Sequence, residues 1–131
     1  MTGTRTRDPL QQAAQVQRAA AREGFDWPAG HRGLWDKLAE EIRELRAVRG
    51  DRRRAAEELG DLLFMAVNLS RHLRVDARRA LAGATRKFQR RYAHILRHAD
   101  TLPPRGSRRR LARMEALWLE AKRREKQRRA R

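Results

Sequence analysis

The sequence predicts an all-α fold, and three observations carry this prediction. Residues with good helix propensity, such as Ala, Leu, Arg and Glu, are abundant among the 131 residues, whereas Gly and Pro number only 8 and 4. Apolar residues recur at spacings of three and four, which is the pattern of one buried helix face. Capping residues and Gly/Pro breakers separate about five such segments. We therefore expect a bundle of about five helices that forms a single domain over residues 1–131.

The first two helices are expected at residues 8–22 and 33–48. Asp8 can cap the first helix, with Pro9 in its first turn, and Gly24 ends it. Residues 25–30 are expected to form a loop. The second helix carries an apolar stripe that we expect to be buried, formed by Leu34, Leu38, Ile42 and Leu45.

The third helix is expected at residues 51–73, with Asp51 as its cap. Its stretch 59–69 is apolar on nearly every side, so we expect other helices to surround it. Asp76 can cap a fourth helix that ends near residue 98, and the breaker 101–106 follows. Ser107 can cap a fifth helix, whose inner stripe would be Leu111, Met114, Leu117, Trp118 and Ala121. The core is expected over residues 8–122, and the basic tail 123–131 is expected to be frayed.

The charge is large and unevenly distributed. The formal net charge is +17, yet half of the 16 acidic residues lie between Asp36 and Asp61. Residues 105–131 hold twelve Lys and Arg against three Glu, a net +9. A basic end of this kind can be a solvated face or a weak nucleic-acid contact. The absence of Cys, of a secretory signal and of a long apolar run favours a cytoplasmic protein without a membrane segment.

Two pairs of carboxylates have the spacing of a metal site. Glu41 and Glu44 are three residues apart on the second helix, and Glu58 and Asp61 are three apart on the third. An antiparallel helix pair with a short connection can bring the four together, and hard cations such as Mg²⁺ prefer oxygen ligands. Glu41 lies on the apolar side of its helix and Asp61 inside the apolar stretch. Acidic groups in such places need a compensating cation.

These segments resemble the motifs of MazG nucleotide pyrophosphohydrolases. Residues 37–45 (KLAEEIREL) resemble the EExxE motif of that family, and residues 57–64 (EELGDLLF) resemble its ExxD motif. The similarity continues upstream at 24–28 (GFDWP) and downstream at 67–73 (VNLSRHL) and 87–92 (KFQRRY). It covers roughly residues 10–122 and is closest to the C-terminal domain of the long, two-domain members.

The resemblance implies a MazG-like helical bundle, completed by assembly into a homodimer or a larger homo-oligomer, and an enzyme. Its four metal ligands, which would hold Mg²⁺ or Mn²⁺ as a substitute, would be Glu41, Glu44, Glu58 and Asp61. The nucleoside triphosphate would be contacted by Lys37, Arg54, Lys87, Arg91 and Trp118, the last suited to stacking on the base. The departures are Arg54, where the family usually has Lys, and Thr85, where it usually has Asn.

The implied reaction is hydrolysis of NTPs or dNTPs to a nucleoside monophosphate and pyrophosphate, with water attacking the α-phosphorus. Glu40 or Glu57 could orient the water or accept its proton, although both can equally be surface acids paired with arginines. Trp118 can be a core residue as well as a base contact. The alternative is a nucleic-acid-binding module on the same scaffold, with catalysis reduced or lost. No phosphate-binding P-loop and no Glu-x-x-His pair for a di-iron site occur in the sequence.

Overall fold

The fold of this protein consists of helices and turns. The computed structural model describes residues 8–28 and 32–131, and no strand occurs among them. The helices are α1 (Pro9–Arg22), α2 (Arg32–Ala47), α3 (Arg52–His72), α4 (Ala77–Arg97) and α5 (Arg108–Arg129), with a short 3₁₀ turn at Ala99–Thr101. The prediction of an all-α protein with about five helices is confirmed. The expected loop 25–30 lies within the described residues only as far as Pro28.

Short polar side chains begin the helices where the sequence predicts caps. Asp8 accepts a hydrogen bond from the backbone N–H of Leu10 at 2.9 Å, and Asp51 and Ser107 accept similar bonds at 3.2 Å. The Asp76 carboxylate accepts a bond at 3.1 Å from a backbone N–H in the first turn of α4, and this bond lowers the pKa of Asp76. Because these acceptors satisfy N–H groups that have no partner inside the helix, the sequence locates the helix starts to within about a residue.

The helix ends also follow the sequence. Gly24, with a φ of +92°, comes just after the C-cap of α1, and its N–H bonds back into the last turn. This left-handed conformation is one that glycine adopts without steric cost. The connection 48–51 between α2 and α3 is short, so the two helices run back along each other as an antiparallel pair.

The chain forms two compact units, Met1–Ala80 and Leu81–Arg131. In the first unit α3 packs against both α1 and α2. The buried apolar residues of this unit are Leu34, Val48, Met65 and Val67, and those of the second unit are Ile95, Leu117 and Ala121. The single domain over residues 1–131 stays a prediction.

Two expectations about burial are wrong for this chain. On α2 the stripe is buried only at Leu34, and Ile42 is exposed. On α3 the stretch expected at the centre of the bundle exposes Leu59, Leu63 and Phe64. The reason is geometric: two helices pack against α3 in the first unit, and two neighbours cannot cover every side of a third helix.

The fifth helix is longer than expected. The tail predicted to fray from residue 123 continues as helix to Arg129, and Leu111, assigned to its buried stripe, is exposed. Arg, Lys, Glu and Gln all have good helix propensity, and Glu125 forms an ion pair with Arg91 of α4 at 3.0 Å. These two effects extend helical structure beyond the last large apolar side chain. Within the described residues, no helix combines the length and the apolar character needed to cross a membrane.

Candidate metal centre

Three carboxylates meet where α2 and α3 face each other. Glu41 and Glu44 lie one turn apart on α2, and Glu58 lies near the start of α3. One oxygen of each lies within 4.8 Å of the others. The antiparallel pairing of the two helices produces this arrangement, since it brings the last turns of α2 beside the first turns of α3.

Two oxygens of this cluster lack the partners that buried polar atoms require. Glu41 is only 5% exposed, and its Oε1 accepts a hydrogen bond from Lys37 Nζ at 3.1 Å. Its Oε2 is buried with no hydrogen-bond partner, and so is Oε2 of Glu58. A buried carboxylate oxygen without a partner is costly. A hard divalent cation would remove that cost for both oxygens, so the donor set fits Mg²⁺ or a similar ion.

The electrostatics of the cluster agree with this fit. Burial raises the pKa of Glu44, and repulsion from Glu41, Glu58 and Glu40 raises it further. Lys37 offsets part of the negative charge: its hydrogen bond to Glu41 raises the pKa of the lysine, and its Nζ also lies 3.5 Å from Glu40. A single lysine against this group of carboxylates leaves a net negative site, which a cation would stabilise.

Asp61 does not belong to the group of three. It lies one turn after Glu58 on α3, but it is exposed, so the expectation that it is buried in an apolar stretch is wrong. Leu59, Leu63 and Phe64, which lie near it on α3, are exposed as well. The assignment of Asp61 as the fourth metal ligand stays a prediction.

The other candidates in the first unit differ in their surroundings. Glu40 adjoins the cluster, because it pairs with Lys37 and acts on the pKa of Glu44. Glu57 points to solvent with its side chain 70% exposed, 3.9 Å from Arg53. Arg54 is exposed in the first turn of α3, and its backbone N–H donates a hydrogen bond to the capping side chain of Asp51.

The candidates in the second unit form an aromatic cluster with one arginine. Arg91 lies 5.2 Å from the ring centroid of Trp118, and Phe88 lies 5.3 Å from the same ring. Arg91 also donates to Glu125 Oε2 at 3.0 and 3.2 Å, and these bonds lower the pKa of Glu125. Trp118 is therefore packed on one side, as a core residue would be, while it keeps an accessible part.

Two further residues of the second unit complete the set taken from the sequence. Lys87 is exposed on α4. The hydroxyl of Thr85 donates to the Leu81 carbonyl at 3.0 Å, so it is engaged in its own helix.

The structure also contains a polar network that was not predicted from the sequence. Arg71 on α3 donates to Asp26, Asn68 and Gln17 at 2.9, 2.8 and 3.1 Å, and Gln17 donates to the Phe64 carbonyl at 2.9 Å. Together with Phe25 and Trp27, these residues line a cavity of about 370 Å³. The only sequence signal was that residues 24–28 and 67–73 resemble family segments, and that signal assigned no role to any side chain.

Comparison with known proteins agrees with the motifs around the carboxylates. The family model of the MazG nucleotide pyrophosphohydrolase domain matches residues 29–96, just over half of the chain. A Thermotoga maritima protein named nucleoside triphosphate pyrophosphohydrolase/pyrophosphatase MazG is 47% identical over 83 residues, which are 63% of this chain and 32% of that protein. The nucleoside triphosphate pyrophosphohydrolase of Escherichia coli strain K12 is 38% identical over 120 residues, 88% of this chain and 45% of that protein.

The chain thus spans a third to just under a half of the length of these curated relatives. Glu41, Glu44 and Glu58 all lie inside the segment that the family model matches. The resemblance inferred from the EExxE and ExxD motifs is confirmed: the chain belongs to the family of MazG nucleotide pyrophosphohydrolase domains.

Proposed function

We propose that this chain hydrolyses nucleoside triphosphates to a nucleoside monophosphate and pyrophosphate with the help of Mg²⁺. The observation that carries the proposal is the pair of buried oxygens without partners, Glu41 Oε2 and Glu58 Oε2, beside Glu44. Membership of the MazG family and the names of the relatives support the reaction type. In this proposal Glu41, Glu44 and Glu58 hold the cation, and Asp61 joins them as the fourth ligand.

When bound, a divalent cation lowers the pKa of water and offsets negative charge on phosphoryl oxygens. The chain's own groups then have distinct tasks. Lys37 pairs with Glu41, and its side chain is 35% exposed, so it also lies within reach of solvent, where it can contact a phosphate. Arg54, in the first turn of α3, is a further cation for the phosphates.

We assign the proton-accepting role to Glu40 rather than Glu57. Glu40 adjoins the carboxylate cluster, whereas Glu57 faces solvent beside Arg53. In the reaction a water oxygen forms a bond to the α-phosphorus while the bond to the α–β bridging oxygen breaks. Pyrophosphate leaves with the bridging oxygen, and Glu40 takes the proton that the water releases.

For the second unit we propose that Arg91 and Lys87 contact phosphate and that Trp118 stacks on the base. Arg91 is held by Glu125 at 3.0 Å, so a phosphate oxygen has to compete with that carboxylate. The contact between Arg91 and the Trp118 ring supports the proposal that both residues bind the nucleotide. The arginine would hold the indole ring in a fixed orientation, so that a base can stack on it.

We also propose that the chain acts as a homodimer or a larger homo-oligomer. Ile42, Leu59, Leu63 and Phe64, on two adjacent helices of the first unit, are each between 43% and 54% exposed. Apolar side chains exposed in this number on neighbouring helices mark an interaction surface. A second copy of the chain would bury them.

The product pattern tests the reaction. Incubation with a panel of NTPs and dNTPs and Mg²⁺ should yield monophosphate and pyrophosphate, resolved by chromatography, without orthophosphate as a first product. In ¹⁸O-labelled water the label should enter the monophosphate. Label in pyrophosphate would mean attack at the β-phosphorus and would contradict the proposal.

A matched pair of variants tests the assignment of the base. Glu40→Gln and Glu57→Gln remove the same charge beside Glu41 and Glu58, respectively. Glu40→Gln should lower kcat by about 100-fold or more, whereas Glu57→Gln should leave it within a few-fold. The reverse result would transfer the role to Glu57.

The second candidate function is a nucleic-acid-binding module with reduced or lost catalysis. The observation that favours it is the net +9 of residues 105–131. Such a module would bind single or double strands with an affinity that falls steeply with salt, and it would not consume dNTPs in the presence of Mg²⁺.

A further inference from the structure

A second charged site lies in the Leu81–Arg131 unit, between α4 and α5. The two helices border a cleft of about 360 Å³, with room for about twelve waters at the density of the liquid. Five arginines line it: Arg90, Arg97, Arg124, Arg128 and Arg131. None of the metal ligands or substrate-binding residues proposed above lines this cleft.

The acidic residues of the cleft do not neutralise these arginines. Glu125 is the one acidic residue among those that line it, and Arg91 already pairs with it from outside the lining at 3.0 Å. Five arginines against this glutamate leave a formal charge of +4. Glu120, next to the cleft, lies 2.8 Å from Arg124, and counting it lowers the formal charge to +3.

The side chains of four of the arginines make no hydrogen bond or ion pair in the described part of the chain, although the charge of Arg90 helps to lower the pKa of Glu125. The four are Arg90, Arg97, Arg128 and Arg131. These arginines are exposed and line one concavity. Their like charges repel each other, and an anion that accepts their hydrogen bonds reduces the repulsion.

A buried imidazole also lines the cleft. His94 is 2% exposed, and its Nε2 is buried with no hydrogen-bond partner, 3.5 Å from Glu120 Oε1. Burial lowers the pKa of His94 despite the opposing effect of Glu120, and this favours the neutral ring. In the tautomer that carries its proton on Nε2, the neutral ring can donate a hydrogen bond to an oxygen of a ligand.

We propose that this cleft is a phosphate-binding site, in which the unpaired arginines and His94 recognise a phosphate anion. Arginine is the side chain best suited to phosphate, because its planar fork donates two parallel hydrogen bonds. The residues that line the cleft include no Phe, Tyr or Trp, and the one aromatic ring among them, His94, is buried, so the cleft offers no exposed aromatic face on which a base could stack. The ligand is therefore recognised through its phosphates, which belong either to a free anion such as pyrophosphate or to a nucleic-acid backbone. The site is independent of the hydrolysis proposed above.

The test compares three full-length proteins. The pocket variant Arg90→Gln/Arg128→Gln removes one exposed charge from each wall of the cleft. The control variant Arg108→Gln/Arg109→Gln removes the same charge from exposed positions of α5 that do not line it. Binding of inorganic pyrophosphate is measured by calorimetry in EDTA at about 0.15 M ionic strength. Lys37, Lys87 and Arg91 are intact in all three proteins, so any binding there is equal.

We expect wild type and the control variant to bind pyrophosphate alike, and the pocket variant to bind it about tenfold or more weakly. Pyrophosphate should also shift the His94 ring resonances in wild type and in the control, but not in the pocket variant. A labelled single-stranded oligonucleotide forms the second arm. If the pocket variant alone loses oligonucleotide affinity, and pyrophosphate displaces the oligonucleotide from wild type, the phosphates belong to a nucleic-acid backbone. If the pocket variant loses affinity for pyrophosphate alone, they belong to a free anion. If the pocket and control variants behave alike with both probes, the proposal is overturned.

Discussion

Asp26→Asn tests whether the polar network around Arg71 stabilises the first unit. Hydrogen bonds from Arg71, and then from His72 and the Trp27 N–H, outweigh partial burial and lower the pKa of Asp26 from 3.8 to about 2. This difference corresponds to at most about 2.5 kcal/mol of stability at neutral pH. The side chain is 27% exposed, so solvent screening reduces the expected contribution to about 1–2 kcal/mol. Asn keeps an acceptor oxygen, so the substitution removes mainly the charge.

The assay is urea unfolding of wild type and variant at several pH values. A carboxyl group whose pKa is lowered by folding stabilises the protein above its unfolded pKa of 3.8, and this stabilisation is lost as the pH falls toward 2. The difference in unfolding free energy should therefore be constant from neutral pH down to about pH 5 and should be roughly halved near pH 3. Asp100→Asn, an exposed control, should change the free energy by less than about 0.5 kcal/mol. A difference below that limit for Asp26→Asn at neutral pH would refute the reasoning.

Two further predictions concern the metal centre and the end of α5. Glu58→Gln should keep or raise the melting temperature in the absence of metal, because it removes a carboxylate charge that has one buried oxygen without a partner. The same substitution should abolish turnover and the stabilisation by Mg²⁺. For wild type this stabilisation should reach about 2.7 kcal/mol when Mg²⁺ is in hundredfold excess over its Kd. Thermal melts with and without Mg²⁺ measure this, and an unchanged response to Mg²⁺ would remove Glu58 from the site. Glu125→Gln should destabilise the protein by about 1 kcal/mol in urea unfolding, since it breaks the pair with Arg91. Truncation after Arg124 removes Glu125 and should cost at least as much, whereas truncation after Arg129 should be neutral; equal stability of the two truncated chains would contradict the role of this pair.

The helices and their starts could be predicted because they depend on local chemistry. Asp8, Asp51 and Ser107 are short polar residues followed by helix-favouring segments, and each caps a helix in the structure. Glu41 and Glu44 were predictable in the same way, since the spacing of three residues and the short connection after α2 determine which residues can face Glu58.

The burial of the apolar faces was not predictable in this way. The pattern of residues 59–69 correctly indicates an apolar helix, but it carries no information about which molecule covers each face. Leu59, Leu63 and Phe64 are exposed because α1 and α2, which pack against α3, leave part of its surface uncovered, and Asp61 is exposed on the same helix. The network of Asp26 and Arg71 was missed because its members are 45 residues apart and no local pattern connects them. The helical tail was missed because the long-range pair of Arg91 and Glu125 supports it.

The arrangement of charges on α2 suggests how the metal centre can exist before a cation binds. Lys37 lies one turn before Glu41 and satisfies one of its oxygens at 3.1 Å, while the other oxygen is buried without a hydrogen-bond partner. Without this lysine, both oxygens of the buried Glu41 carboxylate would lack a partner, which is costly. With it, the carboxylates stay close together, although the raised pKa of Glu44 records their repulsion. The same lysine is one of the cations proposed to contact phosphate. Binding of Mg²⁺ would thus free Lys37 from Glu41 and make it available to the substrate, so that metal and nucleotide would bind cooperatively.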